Sequence, residues 1–268
     1  MRISTLLAAL ALPTSAAAAQ AHRAEPLVIG ETFTMESAVL GETRRITVYR
    51  TAAAPDGAHP VLYMPDGGIG EDFLHVAGLV QVLTGNGGMR PFLLVGIENT
   101  ERRRDLTGPT ENAEDREIAP RVGGSAAFRS FLRDELMPEV RRRYPTTDET
   151  AIVGESLAGL FVVETFLLEP DLFDTWIAFD PSLWWNDGRL VEGAAARLAT
   201  RDRPSGTLYL ATSSQDIAAQ TQRLAQILEA DSQPGLRWEY HPMPEETHAT
   251  IYHPAALKAF RTLLAPVK

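Results

Sequence analysis

The chain has 268 residues, 44% of them hydrophobic, and a formal net charge of −10 at pH 7. That length and apolar content suffice for a full core, while the acidic balance argues against nucleic acid and anionic membrane surfaces as partners. The sequence contains no cysteine, which excludes disulfides, thiolate metal sites and a lipid-modified cysteine.

Chain order begins with an address. Met1-Arg2 supplies a positive start, Ile3 to Leu12 an apolar stretch, and Pro13 to Ala21 a tail of small residues ending in A-x-A patterns at Ala19 and Ala21. Residues 1–21 therefore read as a cleavable signal peptide, and the protein as periplasmic or secreted. The apolar stretch is shorter than the ~20 residues a bilayer span needs, so no membrane insertion is expected. Residues 22–268 read as one domain, because no linker, repeat or low-complexity segment interrupts them.

Strands are expected at 27–35, 44–50, 61–64, 92–97, 151–153, 175–179, 207–212 and 237–241. Helical patterns fall at 125–143, 157–168, 189–200, 217–230 and 254–264. Several strands are continuous apolar runs, which fits burial on both faces. Strands alternating with amphipathic helices imply right-handed crossovers. The expected fold is α/β: a mostly parallel central sheet with helices on both faces and an antiparallel N-terminal edge. The first two strands, which have no helix between them, form that edge.

The densest signal is Gly154-Glu155-Ser156-Leu157-Ala158-Gly159, where an apolar run ends at a serine amid small residues and a helical pattern starts at once. This is the pattern of a nucleophile elbow, with Ala158 in place of the last glycine of G-x-S-x-G. Small neighbours are needed because the turn brings backbone segments together and strains the serine. A plain strand–helix junction with a capping serine is the competing reading. In a parallel sheet, ligand chemistry gathers beyond the carboxyl ends of the strands. Asp66-Gly67-Gly68, Asp180, Asp216 and His248 all follow expected strands, and Ser156…Asp216…His248 is the chain order of such hydrolases.

The segments Pro60–Gly67, Val95–Asn99, Arg103–Thr107, Phe131–Pro138, the elbow, Asp180–Trp185 and Glu246-Thr247-His248 together carry a resemblance. From about Pro60 to Leu264 the chain resembles the putative-esterase (esterase-D-like) family of α/β-hydrolases, which includes siderophore esterases. The resemblance implies cleavage of a small-molecule carboxylic ester or thioester without metal or organic cofactor; some members are acyltransferases. It also implies Ser156 as nucleophile and His248 as general base. His75, His241 and His253 read as surface or capping residues.

For the orienting acid, Asp216 is the choice and Asp180, set beside Pro181, the rival; an N-cap is the other reading of Asp216. The oxyanion donors are expected from the N–H of Leu157 and from Gly67 or Gly68. Arg103 and Arg104, in the run Arg102–Arg104, are candidates for an anionic or catecholate group. Of Trp184 and Trp185, one is expected to wall an acyl or aryl pocket and the other to pack in the core. A non-catalytic binding protein on a hydrolase scaffold is the reading from another class.

Overall fold

The computed structural model describes residues 24–52, 56–200, 206–214, 217–231 and 235–266; the expected signal peptide and Asp216 lie outside them. Eight strands form one sheet: β1 Glu31–Ser37, β2 Glu42–Arg50, β3 His59–Pro65, β4 Leu93–Ile97, β5 Thr146–Glu155, β6 Thr175–Phe179, β7 Gly206–Thr212 and β8 Leu236–Pro242. Their order is β1-β2-β4-β3-β5-β6-β7-β8, antiparallel at β1–β2 and β2–β4 and parallel throughout the rest. This is the α/β-hydrolase arrangement expected from the sequence.

The helices are α1 Phe73–Gly85, α2 Arg102–Leu106, α3 Ala113–Glu117, α4 Ser125–Phe131, α5 Met137–Arg143, α6 Leu157–Leu168, α7 Arg189–Glu192, α8 Ala194–Ala199, α9 Ala218–Asp231 and α10 Tyr252–Leu263. The two-residue period of the strands separates two cores. Val61 and Tyr63 of β3 face a cluster completed by α4, α5, α6, α8 and α9, and Leu62 and Met64 face one completed by α1 and α10. Every residue of β3, β4 and β6 is buried, which is why these strands read as unbroken apolar runs. Among the described residues, no helix is long and apolar enough to cross a membrane.

Three departures from the sequence reading have physical causes. The first strand starts at Glu31 rather than at residue 27, because pairing with β2 begins at Glu31↔Val48 and leaves Leu27 and Val28 exposed outside the ladder. Helix α1 had no counterpart in the sequence reading. Its core residues Phe73, Val76, Ala77, Val80 and Leu83 keep helical spacing, but exposed Leu74 and Val82 blur the stripe. The expected helix at 125–143 is divided by a π-turn, Leu132–Leu136, where the Met137 N–H reaches Leu132 O. Pro138, which has no N–H to donate, follows at once.

Buried ion pairs hold α2 against the sheet edge. Arg44, fully buried on β2, donates to Asp105 at 2.6 Å and to Glu42 at 2.8 Å; Arg104 donates to the same two carboxylates. Each charge is matched by hydrogen bonds, as burial requires.

Between β5 and α6, Ser156 adopts φ 60° and ψ −120°, a conformation that costs of order 1–3 kcal/mol. The elbow closes because its neighbours are small. A Cβ on Gly154 would lie 2.7 Å from the Ala158 carbonyl carbon, and one on Gly159 would lie 3.0 Å from Phe179 O. Gly154→Ala is therefore expected to lower the melting temperature by roughly 3–10 °C, the scale of ~1–3 kcal/mol of overpacking in a chain this size, as read by thermal unfolding.

Candidate active site

The carboxyl ends of β3 to β8 bring the chemistry-bearing side chains to one edge. Ser156 follows β5, Asp180 follows β6 and His248 follows β8. His248 Nε2 lies 3.1 Å from Ser156 Oγ, and His248 Nδ1 lies 3.1 Å from Asp180 Oδ2. With Nδ1–H donated to Asp180, the Nε2 lone pair faces the serine hydroxyl. Backbone bonds fix the turn: Ser156 N–H donates to Phe179 O, and Ser182 N–H donates to Ser156 O.

Asp180 is fully buried at φ 39° and accepts from the Ser213 N–H and the Ser213 hydroxyl, each at 2.6 Å. Burial opposes its charge, but the bonds from His248 and Ser213 outweigh that and hold its carboxyl below the usual range. The hydrogen bond to Asp180 raises the His248 imidazole above its ordinary value; burial works the other way, and the nearby Glu155 charge adds to the rise. Glu155, last in β5, places Oε1 3.1 Å from His248 Nδ1, and its carboxyl is pushed up to about 7, chiefly by burial. Glu155, Asp180 and His248 are the donor types that could hold a metal, their atoms lying within 4.8 Å of one another. Nδ1 is already bonded to a carboxylate there.

Asp216, the acid chosen from the sequence, lies outside the described residues; among those described, the carboxylate bonded to the histidine is that of its rival, Asp180. Pro181 after Asp180 does not divert the side chain; the turn residue itself takes positive φ and aims its carboxylate at the ring.

The expected glycine donors are also engaged elsewhere. Gly67 N–H donates to Ile97 O at 3.0 Å, and Gly68 N–H donates to the Glu71 carboxylate at 2.7 Å. Gly67 is glycine for packing, since a Cβ there would lie 2.3 Å from Gly96 Cα. Leu157 N–H, first in α6, falls outside that helix's own ladder and borders the serine.

A cavity of about 170 Å³ opens on Ser156, lined by Arg102, Arg103, Ile118, Leu157, Ser182, Trp184 and Trp185. Trp184 is 43% exposed on this wall; Trp185 is buried and donates from Nε1 to Gly108 O at 2.8 Å. The tandem tryptophans thus differ in burial, although both border the cavity. Of the arginines, Arg104 is tied into the buried pairs with Glu42 and Asp105. Arg103 is exposed and donates to Ile118 O, with no carboxylate partner among the described residues. Arg102, passed over in favour of its two successors, grips Asp66 through Nε and Nη2 at 2.7 and 2.8 Å. Its signal was its place first in the helix after β4, nearest the sheet edge. Arg102 and Arg103 also line an adjoining cleft of about 540 Å³ with Arg104, Arg121 and Pro120.

The sheet and the hydrogen-bonded serine, histidine and aspartate at its edge define an α/β-hydrolase. Residues 37–250 match the family described as "Putative esterase", and the chain belongs to that family. It is a carboxylic ester hydrolase. It is 27% identical over 238 residues to the ferri-bacillibactin esterase BesA of Bacillus subtilis, a match covering 79% of this chain and 81% of that one. Among solved structures it is similar to an IroE-like serine hydrolase from Shewanella oneidensis, with a TM-score of 0.80 and 26% identity over 88% of this chain and 80% of that one. The siderophore hydrolase EstB of Aspergillus nidulans shares the fold, with a TM-score of 0.75 at 20% identity, covering 91% and 98% of the two chains.

Proposed function

We propose that the protein is an exported serine esterase that opens the ester bonds of a siderophore, the first 21 residues serving as its signal peptide and the rest folding as one domain. The observation that carries the mechanism is the unbroken chain of contacts from Ser156 Oγ through the His248 ring to Asp180, at 3.1 Å on each side of the ring. Ser156 Oγ attacks the ester carbonyl while Nε2 takes its proton. The imidazolium, held by Asp180, then protonates the departing alkoxide and leaves an acyl-enzyme. Water enters, gives a proton to Nε2 and releases the acid, and the proton returns to Oγ. Leu157 N–H is one donor for the oxyanion. With both glycine N–H groups engaged, the second donor is Nη1 of Arg102, which has no partner among the described residues and borders the same cavity.

The substrate reading rests on the relatives' named activities and on charge. On a chain of net charge −10, the cleft beside Ser156 gathers four arginines, one of them without a carboxylate partner. Guanidinium groups suit forked contacts and stacking with catecholates, and Trp184 offers an aryl surface on the cavity wall. The test is turnover of a ferric triscatecholate trilactone set beside p-nitrophenyl esters of increasing chain length, with product masses recorded. Opening of the trilactone with kcat/KM roughly a hundredfold above the best simple ester, falling about tenfold in Arg103→Ala, is expected. Preference for short simple esters, or acyl transfer to an added alcohol in place of free acid, would replace the siderophore reading.

A further inference from the structure

We propose that Glu155 is a second carboxyl of the histidine site, a positioning residue that acts with Asp180 to hold His248 and to stabilise its charged form. The inference rests on the Ser156–His248 reading above and extends it to a residue that this reading does not use.

His248 Nδ1 has two carboxylate oxygens at equal distance, Glu155 Oε1 and Asp180 Oδ2, each at 3.1 Å. One N–H can be given well to only one of them, and the hydrogen-bond geometry favours Asp180. Glu155 Oε1 is left sealed from solvent with no hydrogen bond. An acceptor in that position is costly unless a positive charge arises beside it. Such a charge does arise: each time Ser156 gives up its proton, the ring becomes an imidazolium between two carboxyl groups. Glu155 is placed for this by chain position alone. It closes β5 immediately before the strained serine, so the turn that fixes Oγ also fixes the carboxyl.

The groups around Glu155 come from five elements. They are Asp180 after β6, His248 after β8, Asp72 at the start of α1, Arg102 of α2 and Tyr252 of α10. Asp72 is itself 3.6 Å from His75 Nε2, and Asp66 occupies the two hydrogen bonds of Arg102. Burial and the Asp180 and Asp72 charges disfavour ionised Glu155; His248 and Arg102 favour it. With Nδ1 and Oε1 3.1 Å apart, the protonation of Glu155 and that of His248 are coupled. When Glu155 is ionised it favours the imidazolium, so its presence raises the pH at which the base is lost. Removing its charge lowers that pH.

The experiment measures kcat and kcat/KM from about pH 5 to about pH 9 for the wild type, Glu155→Gln and Ser156→Ala, alongside an NMR titration of the His248 ring nitrogens in wild type. For Glu155→Gln the acid limb of kcat/KM is expected to move down by about one pH unit, and the plateau kcat to fall roughly tenfold. The wild-type ring is expected to show two inflections, its own and that of the neighbouring carboxyl. The NMR readout stands even if the variant fails to fold. An acid limb that stays in place, or a ring that titrates in a single step, overturns the role of Glu155 whatever the fall in kcat. In either case a dead Ser156→Ala leaves the esterase reading intact, whereas an active one removes that reading.

Discussion

Ser156→Ala is expected to lower kcat for ester hydrolysis by about 10⁵- to 10⁶-fold, with substrate binding nearly unchanged. The loss corresponds to roughly 7–8 kcal/mol of transition-state stabilisation at ~1.4 kcal/mol per factor of ten. Deleting Oγ removes the covalent route altogether, leaving only the Leu157 N–H and the arginine-lined pocket to act on a water-driven reaction. The fold should survive, because the elbow depends on the backbone bonds of residue 156 and on glycines 154 and 159. Alanine accepts the same main-chain bonds and pays a similar penalty at φ 60°. A fluorophosphonate should label the wild type at this serine and leave the variant untouched. Retention of labelling or of more than about a thousandth of the activity in a folded variant would remove Ser156 as nucleophile.

Asp180→Asn should be the second largest loss, about 10³- to 10⁴-fold in kcat at neutral pH. The amide keeps the size of the carboxylate but not its charge. If its NH₂ turns to Nδ1, the ring is held in the tautomer whose Nε2 carries the proton and cannot take the one on Oγ. The acid limb of kcat/KM has a definite sign. The Asp180 hydrogen bond raises His248 above its ordinary value, so wild-type activity falls with decreasing pH already above that value, and in Asp180→Asn the limb moves to lower pH. Asp216→Asn, by contrast, should remain within about twofold of wild type. The pair of variants decides between the two acids, since a large loss at 216 with little at 180 would restore the sequence-based choice.

Parallel strands and buried crossovers were legible because burial on both faces writes itself into unbroken apolar runs such as Val61–Met64 and Thr175–Phe179. The elbow was legible for a related reason: close backbone approach at Gly154 and Gly159 leaves room for no larger side chain, and the chain must use small residues there. Helix α1 was not legible, because its apolar residues spill beyond one face. The choice among acids was hidden for a different reason. Asp180 and Asp216 each follow an expected strand in the sequence, and nothing local tells which carboxylate turns toward the ring. That is decided by the positive φ of Asp180 and by the two hydrogen bonds from Ser213 on the neighbouring strand's loop.

Similar logic separates the three consecutive arginines. Composition marks them as one basic run, yet one grips Asp66 at the cavity, one reaches solvent and one is absorbed by Glu42 and Asp105. Asp105 is a chain neighbour, but Glu42 and Asp66 are distant in sequence and meet the run only because β2 and β3 both pack beside β4. By itself the sequence determined the sheet, its antiparallel edge, the strained serine and the chemical class those features belong to, since each is enforced by local sterics or by hydrophobic periodicity. Tertiary structure alone decided which carboxylates meet the imidazole, that the N–H groups of Gly67 and Gly68 are bonded within the fold, and which arginines are absorbed by ion pairs, since hydrogen-bond partners are set by spatial neighbours that no local pattern encodes.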